Sequence, residues 1–323
     1  MTTQVTGQVT GQVTGQVTGP DLSPAPLDPF RASVAGLYRD DVVEVRAVGE
    51  RRSRRGLATV RTPHFDLTPA SGGRRVRVDH VLGPHEIDDD VAGLVATELF
   101  GPGWLRGVAL FERVFTGVVR SMHPDPLASW DLFYGNTLAQ LDRWRDVAPG
   151  AGGSGHGTIA EYAPVYAHAE GLLAPGSVLE VGCCFGFLPL RLAASGRTVT
   201  ASDVAPGTVR LLGEVARRRG VRLETVVADA AHHPGADASV DTVLVLHLLE
   251  HVDAEHGQRI LAEALRLARR RVVVAVPLED VAEETWGHVR TISLDDLRAW
   301  GAATGHPHDV HELHGGWLVV DVG

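Results

Sequence analysis

The stretch SVLEVGCCFGFLPLRLAA, from Ser177 to Ala194, decides the fold of this chain. An apolar strand pattern over Ser177 to Val181 leads into a turn of small residues from Gly182 to Gly186, and apolar residues then recur at helical spacing. A strand, a glycine-containing turn and a helix N-terminus together direct backbone N–H groups into an open crevice. The stretch therefore predicts a site for a small polar ligand.

Bulk properties narrow the class of protein. The 323 residues are 44% hydrophobic and 22% charged, which is typical of globular proteins with a sizeable core. No apolar run approaches the roughly 20 residues of a membrane span, and the N-terminus lacks the pattern of a secretory signal. The net charge of −10 argues against nucleic acid as a partner. We therefore expect a soluble, cytoplasmic protein without membrane insertion.

The two cysteines, Cys183 and Cys184, are neighbours inside the turn. Adjacent cysteines cannot form a disulfide that cross-links distant parts of the chain. A disulfide framework is therefore excluded, and a reducing compartment is consistent with the sequence. A helix N-terminus lowers the pKa of a thiol, which leaves a redox role open. We favour the simpler interpretation that the small side chains fill a tight turn.

Composition divides the chain into four segments. Residues 1–29 hold four copies of Gln-Val-Thr-Gly and a Pro-rich sequence, which predicts a disordered tail. Residues 30–147 predict a smaller α+β domain, and the Gly-rich residues 148–157 predict a linker. Residues 158–323 predict a second domain, whose first helix is expected to break near Pro164.

Alternating apolar and polar residues predict a small antiparallel sheet near the start of the first domain. The alternation covers Asp41 to Val48 and Arg75 to Val81, with a further run from Ala58 to Thr62 between them. The basic stretch from Arg51 to Arg55 then lies at a hairpin tip. We expect a solvated loop there, with anion binding as the alternative.

Three helical patterns follow, at about Asp88 to Phe100, Leu105 to Met122, and Pro126 to Trp144. The triplet from Asp88 to Asp90 precedes the first of them, where carboxylates stabilise a helix N-terminus. Capping is the preferred interpretation of this triplet, and a metal site is the alternative.

The same region contains four aromatic residues: Trp104, Trp130, Tyr134 and Trp144. Aromatic rings with a polar group can line a sugar-binding groove. Residues at helical spacing are more often part of the core, so both interpretations stay open.

The second half of the chain alternates strand and helix patterns. Strands are predicted at 177–181, 198–202, 223–228, 242–247 and 271–276, and helices near 187–195, 206–219 and 255–269. This alternation predicts a parallel sheet with helices on both faces. Two last strand patterns, His308 to Leu313 and Trp317 to Val322, are separated by only three residues, which permits only an antiparallel hairpin.

Acidic and small residues follow these strands in a definite order. The order is Glu180-x-Gly182-x-Cys184-x-Gly186, Asp203, Asp229-Ala230, and His247-Leu-Leu-Glu250-His251. With the terminal hairpin, it resembles the S-adenosylmethionine-dependent class I methyltransferases over about half of the chain, from Thr158 onward. The resemblance implies an α/β, Rossmann-like sheet with an antiparallel C-terminal hairpin, and S-adenosyl-L-methionine as the cofactor.

The resemblance also implies which residues bind that cofactor. They are Glu180, Gly182, Cys183, Cys184, Gly186, Asp203, Val204, Asp229, Ala230 and His247. Glu180 would bind the ammonium group of the cofactor. Asp203 follows Gly182 at the offset of about 20 residues at which an acid reaches the ribose hydroxyls. Asp229 and the Ala230 N–H would hold the adenine. The alternative for each acid is a helix cap.

Cys184 departs from the pattern, because the family has its middle glycine there. A Cβ at residue 184 leaves less space for a ligand beside the turn. An amino-acid carboxylate tolerates this loss of space better than a pyrophosphate does. The turn also lacks the second and third glycines of G-x-G-x-x-G, which weakens the rival interpretation as a nicotinamide dehydrogenase.

Histidines after the fourth and fifth strands are the candidate catalytic residues. His251 is our candidate general base, Glu250 is expected to face the acceptor, and His288 is the second candidate base. The alternative is a neutral histidine with its hydrogen bonds satisfied in a loop.

The run from His247 to His251 has two other interpretations. Its H-x-x-E-H form is that of inverted zinc proteases, but that motif belongs on a helix and this run straddles a strand end. The spacing of His247, Glu250 and His251 also resembles that by which some quinone O-methyltransferases hold magnesium. We predict no metal.

Longer stretches carry a closer resemblance. They are GCCFGFLPLRLA, DDDVAGLVATELFGPGWLRG, FERVFTGVVRS, GHGTIAEYAPVY and HGGWLVVD. Over nearly all of the chain after the tail, they resemble the mycofactocin oligosaccharide methyltransferases of actinobacteria. That family methylates a sugar hydroxyl on a peptide-derived redox cofactor, which implies a glycosylated small molecule as substrate. A quinone or aromatic O-methyltransferase and a non-catalytic S-adenosylmethionine-binding regulatory protein are the alternatives.

Overall fold

The computed structural model describes residues 28–49, 60–69, 75–145, 158–283 and 286–323. The Gln-Val-Thr-Gly repeats, the basic stretch from Arg51 to Arg55 and the Gly-rich residues 148–157 lie outside the described residues. Among the helices that are described, none has the length and apolar character that crossing a membrane requires.

The first part of the chain forms a mixed sheet of five described strands. They are β1 (Leu37–Arg39), β2 (Val43–Ala47), β3 (Val60–Arg61), β4 (Phe65–Pro69) and β5 (Val76–His80), in the order β1-β2-β5-β4-β3. The prediction of a purely antiparallel sheet is wrong, because β2 and β5 run parallel. The long connection between them contains the β3–β4 hairpin and so provides room for a crossover.

Three helices follow and confirm the helical patterns. They are α1 (Asp90–Val95), which continues into a wider turn over Ala96–Phe100, α2 (Val108–Ser121) and α3 (Pro126–Trp144). Helix α2 packs on β2 so closely that a Cβ on Gly117 would lie 2.3 Å from Val45 Cγ2. A glycine is therefore required where this helix crosses the sheet.

The aspartate triplet caps helices, as expected. Asp88 Oδ1 accepts a hydrogen bond from the Asp90 N–H at 3.1 Å. Asp90 Oδ1 accepts from the Ile159 N–H at 3.0 Å, so that it caps the first turn of a helix far along the chain. Burial, with the charge of Asp90, raises the pKa of Asp88 to about 6.

The second part alternates helices and strands. Its elements are α4 (Thr158–Leu172), β6 (Val178–Val181), α5 (Phe187–Ala194), β7 (Val199–Asp203), α6 (Pro206–Arg218), β8 (Glu224–Val227), β9 (Val240–Leu246), α7 (Ala254–Leu267), β10 (Ala268–Val276), α8 (Leu294–Thr304), β11 (His308–Glu312) and β12 (Gly316–Asp321). The described strands form a sheet in the order β11-β12-β10-β9-β6-β7-β8. All neighbours are parallel except β12, which is antiparallel to both β10 and β11. The predicted sheet and its terminal hairpin are confirmed.

Helix α4 does not break at Pro164, contrary to the prediction. A proline inside a helix removes one backbone hydrogen bond. Here the apolar residues Ile159, Ala163, Val165 and Ala169 are buried on both sides of the proline, and this packing holds the helix together.

Aromatic side chains pack the two parts against each other. Trp130 and Tyr134 of α3 are buried, and the Tyr134 hydroxyl donates to the Phe185 carbonyl at 2.6 Å. The Phe133 and Phe185 ring centroids lie 5.3 Å apart. Trp130 and Tyr134 are therefore core residues and do not line a groove, whereas Trp104 is 46% exposed.

We expect Gly117→Ala to lower the free energy of unfolding by about 1–3 kcal/mol, because the new methyl group overpacks the contact with Val45. Gly171→Ala in α4 is the matched control, since its Cβ would have no neighbour within 4 Å, and it should stabilise by about 0.5–1 kcal/mol. Urea denaturation measures both changes. Equal effects of the two substitutions would contradict the packing argument.

Candidate active site

The glycine turn adopts left-handed backbone conformations at three alternate residues. The φ angles are +68° at Gly182, +48° at Cys184 and +68° at Gly186. A Cβ on Gly182 would lie 2.8 Å from both Cδ atoms of Leu248, and one on Gly186 would lie 2.4 Å from Leu212 Cδ2. Both glycines are thus required, because their φ angles are positive and because the neighbouring side chains leave no room for a Cβ.

Cys184 takes the left-handed conformation of the glycine that it replaces. That conformation costs about 1–2 kcal/mol for an L-residue, and a hydrogen bond of 2.9 Å from the Cys184 N–H to Asp203 Oδ2 offsets part of the cost. Loss of hydration, with the charges of Asp203, Asp89 and Glu112, raises the pKa of the thiol to about 12. This raised pKa does not favour the redox role that the sequence leaves open.

Cys183 has a structural role in the same turn. Its side chain is buried, and its N–H donates to the Ser202 carbonyl at 2.9 Å, which joins the end of β6 to β7. Burial raises the pKa of this thiol as well. The interpretation of the two cysteines as turn-filling side chains therefore fits the structure better than a redox role.

Glu180 is a buried carboxyl group at the end of β6. It is 5% exposed, and its Oε2 has no hydrogen-bond partner among the described residues. Burial, followed by the charge of Asp203, raises its pKa to about 8. A buried carboxyl group in this state is suited to a cation, and an ammonium group would supply both the charge and the missing hydrogen bond.

Asp203 caps the backbone after β7. Its two oxygens accept hydrogen bonds from the N–H groups of Cys184 and Ala205, each at 2.9 Å. The capping alternative therefore holds for Asp203, but each carboxylate oxygen has a second lone pair for a ligand hydroxyl. Val204, the next residue, is 70% exposed and presents an apolar side chain beside it.

Asp229 similarly caps the turn after β8. Its Oδ1 accepts from the Ala231 N–H at 2.9 Å and lies 3.1 Å from His256 Nε2. The hydrogen bond from Ala231, followed by the charge of His256, lowers the pKa of Asp229. Ala230 is partly buried. His256, the third residue of α7, was not predicted from the sequence as part of the site.

His247 follows β9 with a left-handed φ of +48°. Its ring packs on Tyr162 with centroids 5.2 Å apart, and its Nε2 has no hydrogen-bond partner in the described part of the chain. Burial, with the nearby imidazoles of His288 and His251, lowers its pKa to about 4. His247 is therefore a neutral side chain at the cofactor end of the site.

The three candidate catalytic residues come together. One ligand atom from each of Glu250, His251 and His288 lies within 4.8 Å of the other two. Glu250 is 1% exposed, and neither of its carboxyl oxygens has a hydrogen-bond partner among the residues described. His247 Nδ1 lies 3.8 Å from Glu250 Oε1. Burial raises the pKa of Glu250 to about 8.

Both histidines of this cluster are held through Nδ1. His288 Nδ1 lies 2.8 Å from Glu279 Oε2, and His251 Nδ1 lies 3.3 Å from the Gly287 carbonyl. With Nδ1 as the donor, each Nε2 is left as an acceptor. Burial and the nearby His288 also lower the pKa of His251. The sequence analysis missed Glu279, although an acid three residues after a predicted strand is a detectable signal.

Residues from the first part of the chain pack against the loop that carries His288. The Phe111 ring lies 5.7 Å from that of Trp286 and 5.2 Å from that of Phe100, edge to face in both cases. A Cβ on Gly287 would lie 3.9 Å from Val108 Cγ2. The start of α2 therefore borders the loop that carries His288.

Comparison with known proteins agrees with this geometry. Residues 179–276 match the family described as "Methyltransferase domain". This part of the chain is similar to a methyltransferase domain. The match covers the glycine turn of the domain and the strands β6 to β10, and the cofactor of a methyltransferase of this fold is S-adenosylmethionine.

Two curated relatives match part of the methyltransferase. The ubiquinone biosynthesis O-methyltransferase of Xanthomonas euvesicatoria is 40% identical over 84 residues, which is 25% of this chain and 34% of the relative. The protein of the same name from Methylocella silvestris is 33% identical over 75 residues, 23% of this chain and 29% of the relative. The chain thus spans about a third of the length of these relatives.

Solved methyltransferase structures are also similar. Magnesium protoporphyrin IX methyltransferase from Synechocystis, solved with S-adenosylmethionine bound, has 21% identity and a TM-score of 0.42, covering 56% of this chain and 90% of that one. A methyltransferase from Methanosarcina mazei has 18% identity and a TM-score of 0.41, covering 48% of this chain and 96% of that one.

We expect S-adenosylmethionine binding to depend on the protonation of Glu180. The free carboxyl group keeps its proton up to about pH 8, whereas a bound ammonium favours the carboxylate. Affinity should therefore rise with pH from about 6 toward 8, by up to about tenfold per pH unit, with release of a proton. Calorimetry in buffers of different ionisation enthalpy measures both quantities.

The variant Glu180→Gln should bind the cofactor about tenfold or more weakly and release no proton. Glu312→Gln, which alters an exposed acid on β11, is the control. Wild-type affinity and proton release in Glu180→Gln would contradict the ammonium assignment.

Proposed function

We propose that this protein transfers a methyl group from S-adenosylmethionine to a hydroxyl oxygen of a small-molecule acceptor. The observation that carries the proposal is the cluster of Glu250, His251 and His288 directly beside the cofactor turn. Leu248, two residues before Glu250, packs against Gly182, so that the groups suited to proton transfer adjoin the turn that binds the cofactor.

The cofactor, when bound, supplies an electrophilic methyl group on a sulfonium. The chain contributes by holding the acceptor in line with that methyl group, and positioning of this kind is worth up to roughly 7–11 kcal/mol. A hydroxyl group must also lose its proton as its oxygen is methylated. His251 Nε2 is our candidate to accept it, with His288 as the second candidate and Glu250 facing the acceptor.

For the acceptor, we propose a sugar hydroxyl of the mycofactocin oligosaccharide. The long stretches that resemble the mycofactocin enzymes support this choice. The Phe111 and Trp286 rings beside the histidine cluster are compatible with it, because aromatic faces pack well on sugar rings. In this proposal residues 30–147 cover the acceptor, residues 158–323 bind the cofactor, and the reaction takes place in the cytoplasm.

A quinone or phenol is the second candidate acceptor. It is favoured by the ubiquinone biosynthesis O-methyltransferases, to which 75–84 residues of this chain are 33–40% identical. An aromatic acceptor would pack against the same Phe111 and Trp286 rings and would use the same proton acceptor. The two candidates therefore differ only in the compound that is methylated.

Incubation with labelled S-adenosylmethionine separates these candidates. One reaction contains an extract with glycosylated mycofactocin and the other contains phenolic quinone precursors, and mass analysis seeks a product heavier by one CH₂ group. Label in the glycan supports the first proposal, and label in the phenol supports the second. Cofactor binding without label in either product would indicate a regulatory protein instead.

The substitution His251→Ala should lower kcat by about 10²- to 10⁴-fold, because the acceptor loses its proton acceptor. Affinity for S-adenosylmethionine should be unchanged. In the wild type, kcat should fall at acidic pH with a midpoint below the ordinary histidine value, since burial lowers the pKa of His251. The exposed His85→Gln is the control. Undiminished turnover in His251→Ala would remove the assignment.

A further inference from the structure

We propose that Glu250, His251 and His288 bind a divalent transition-metal ion of the Zn²⁺ class. The three side chains come from two separate segments, the turn after β9 and the loop before α8, and the fold brings one ligand atom of each to within 4.8 Å of the others. Tetrahedral bonds of about 2.0–2.2 Å place ligand atoms about 3.3–3.6 Å apart, so binding a common ion requires these side chains to approach one another by up to about 1.5 Å.

The buried Glu250 points independently to a cation. A carboxyl group that is 1% exposed normally has hydrogen bonds to both oxygens, but neither oxygen has one within the described part of the chain. The Arg290 guanidinium donates instead to the Leu249 carbonyl, through Nε at 2.9 Å. A bound ion would supply the missing partner of the Glu250 carboxylate.

The two imidazoles are already oriented as metal ligands. A histidine that binds a metal through one ring nitrogen almost always donates the other N–H to a carboxylate or a backbone carbonyl. His288 has the carboxylate partner, Glu279 at 2.8 Å, and His251 has the carbonyl partner, Gly287 at 3.3 Å. In both residues Nε2 is left for the ion.

The ligand set selects the kind of metal. Two imidazoles and one carboxylate suit zinc and related first-row ions, whereas magnesium prefers oxygen ligands and bound water. The structure thus differs from the magnesium set that the sequence spacing suggests. The ring of His247 packs on Tyr162, and His288, which is distant in sequence, completes the group instead.

Three protein ligands leave at least one coordination position open. With the ion bound, His251 Nε2 is a ligand, which replaces its role as proton acceptor in the metal-free protein. An acceptor hydroxyl at the open position would then have a lowered pKa and would lose its proton to solvent. This consequence rests on the proposed methyl transfer. The binding of the metal does not.

The test uses tag-free protein that has been treated with a chelator. Zinc chloride, and magnesium chloride in parallel, are titrated by calorimetry, and bound metal is measured by elemental analysis. We expect one zinc ion per chain at this site and no comparable binding of magnesium. Glu250→Gln and His288→Ala should each lose that ion, and Glu279→Gln should bind it about 10- to 100-fold more weakly.

His85→Gln, which alters an exposed histidine far from the cluster in sequence, should bind zinc as the wild type does. Affinity for S-adenosylmethionine, measured on every variant, verifies that the fold is intact. Cobalt in place of zinc should give a visible spectrum that changes in His288→Ala, which a purely structural role of His288 would not produce.

The outcomes separate the metal site from the proposed function. Absence of a stoichiometric zinc ion in the wild type, or its full retention in Glu250→Gln and His288→Ala, would overturn the site. Methyl transfer that persists undiminished after removal of bound zinc would overturn the catalytic role of the ion and leave the methyltransferase proposal standing. Zinc bound at these residues without methylation of any acceptor would support the site and refute the proposed function.

Discussion

The contact between Leu248 and Gly182 determines the geometry of the whole site. The leucine side chain occupies the space that a Cβ on residue 182 would need, so the turn after β6 and the turn after β9 can approach only when the former carries a glycine. This contact fixes the cofactor turn on one side. Because Glu250 follows Leu248 by two residues, the same contact also determines where Glu250 lies. A single apolar contact thus aligns the group that would hold the cofactor ammonium with the group that would face the acceptor.

This arrangement buries two carboxyl groups, those of Glu180 and Glu250, at the ends of adjacent strands. The folded pKa of both Glu180 and Glu250 is raised to about 8, above the unfolded value near 4.5. Between these values the folded state binds protons that the unfolded state has lost, so stability falls as the pH rises toward 8. Cations bound at the two positions would reverse this loss. Ligand binding and folding are therefore coupled through charge at this edge of the sheet.

The sequence predicts the second part of the chain better than the first, for physical reasons. The carboxyl ends of parallel strands lie at one edge of a sheet, so the strand pattern predicts that Glu180, Asp203 and Asp229, which the methyltransferase resemblance singles out, lie near one another. The parallel pairing of β2 with β5 depends on a long-range choice of neighbour that alternation cannot reveal. The continuity of α4 through Pro164 depends on packing from outside the helix.

The partners within the site illustrate the same limit. Tyr162 and His247 are far apart in sequence, and Glu279 and His288 are nine residues apart, so no local pattern links either pair. Local signals identified the histidines as candidate groups, but only the assembled fold shows what orients them.

The cap that Asp90 provides for α4 has a consequence for how the protein can be divided. The carboxylate and the Ile159 N–H that it accepts from are 69 residues apart, and the aromatic cluster around Phe133 and Phe185 joins the same two parts. A fragment that begins at residue 158 would lose the cap of its first helix and expose an aromatic face. Two co-expressed fragments cut within residues 146–157 would still complement each other, because each retains its side of the Asp90–Ile159 hydrogen bond and of the aromatic cluster.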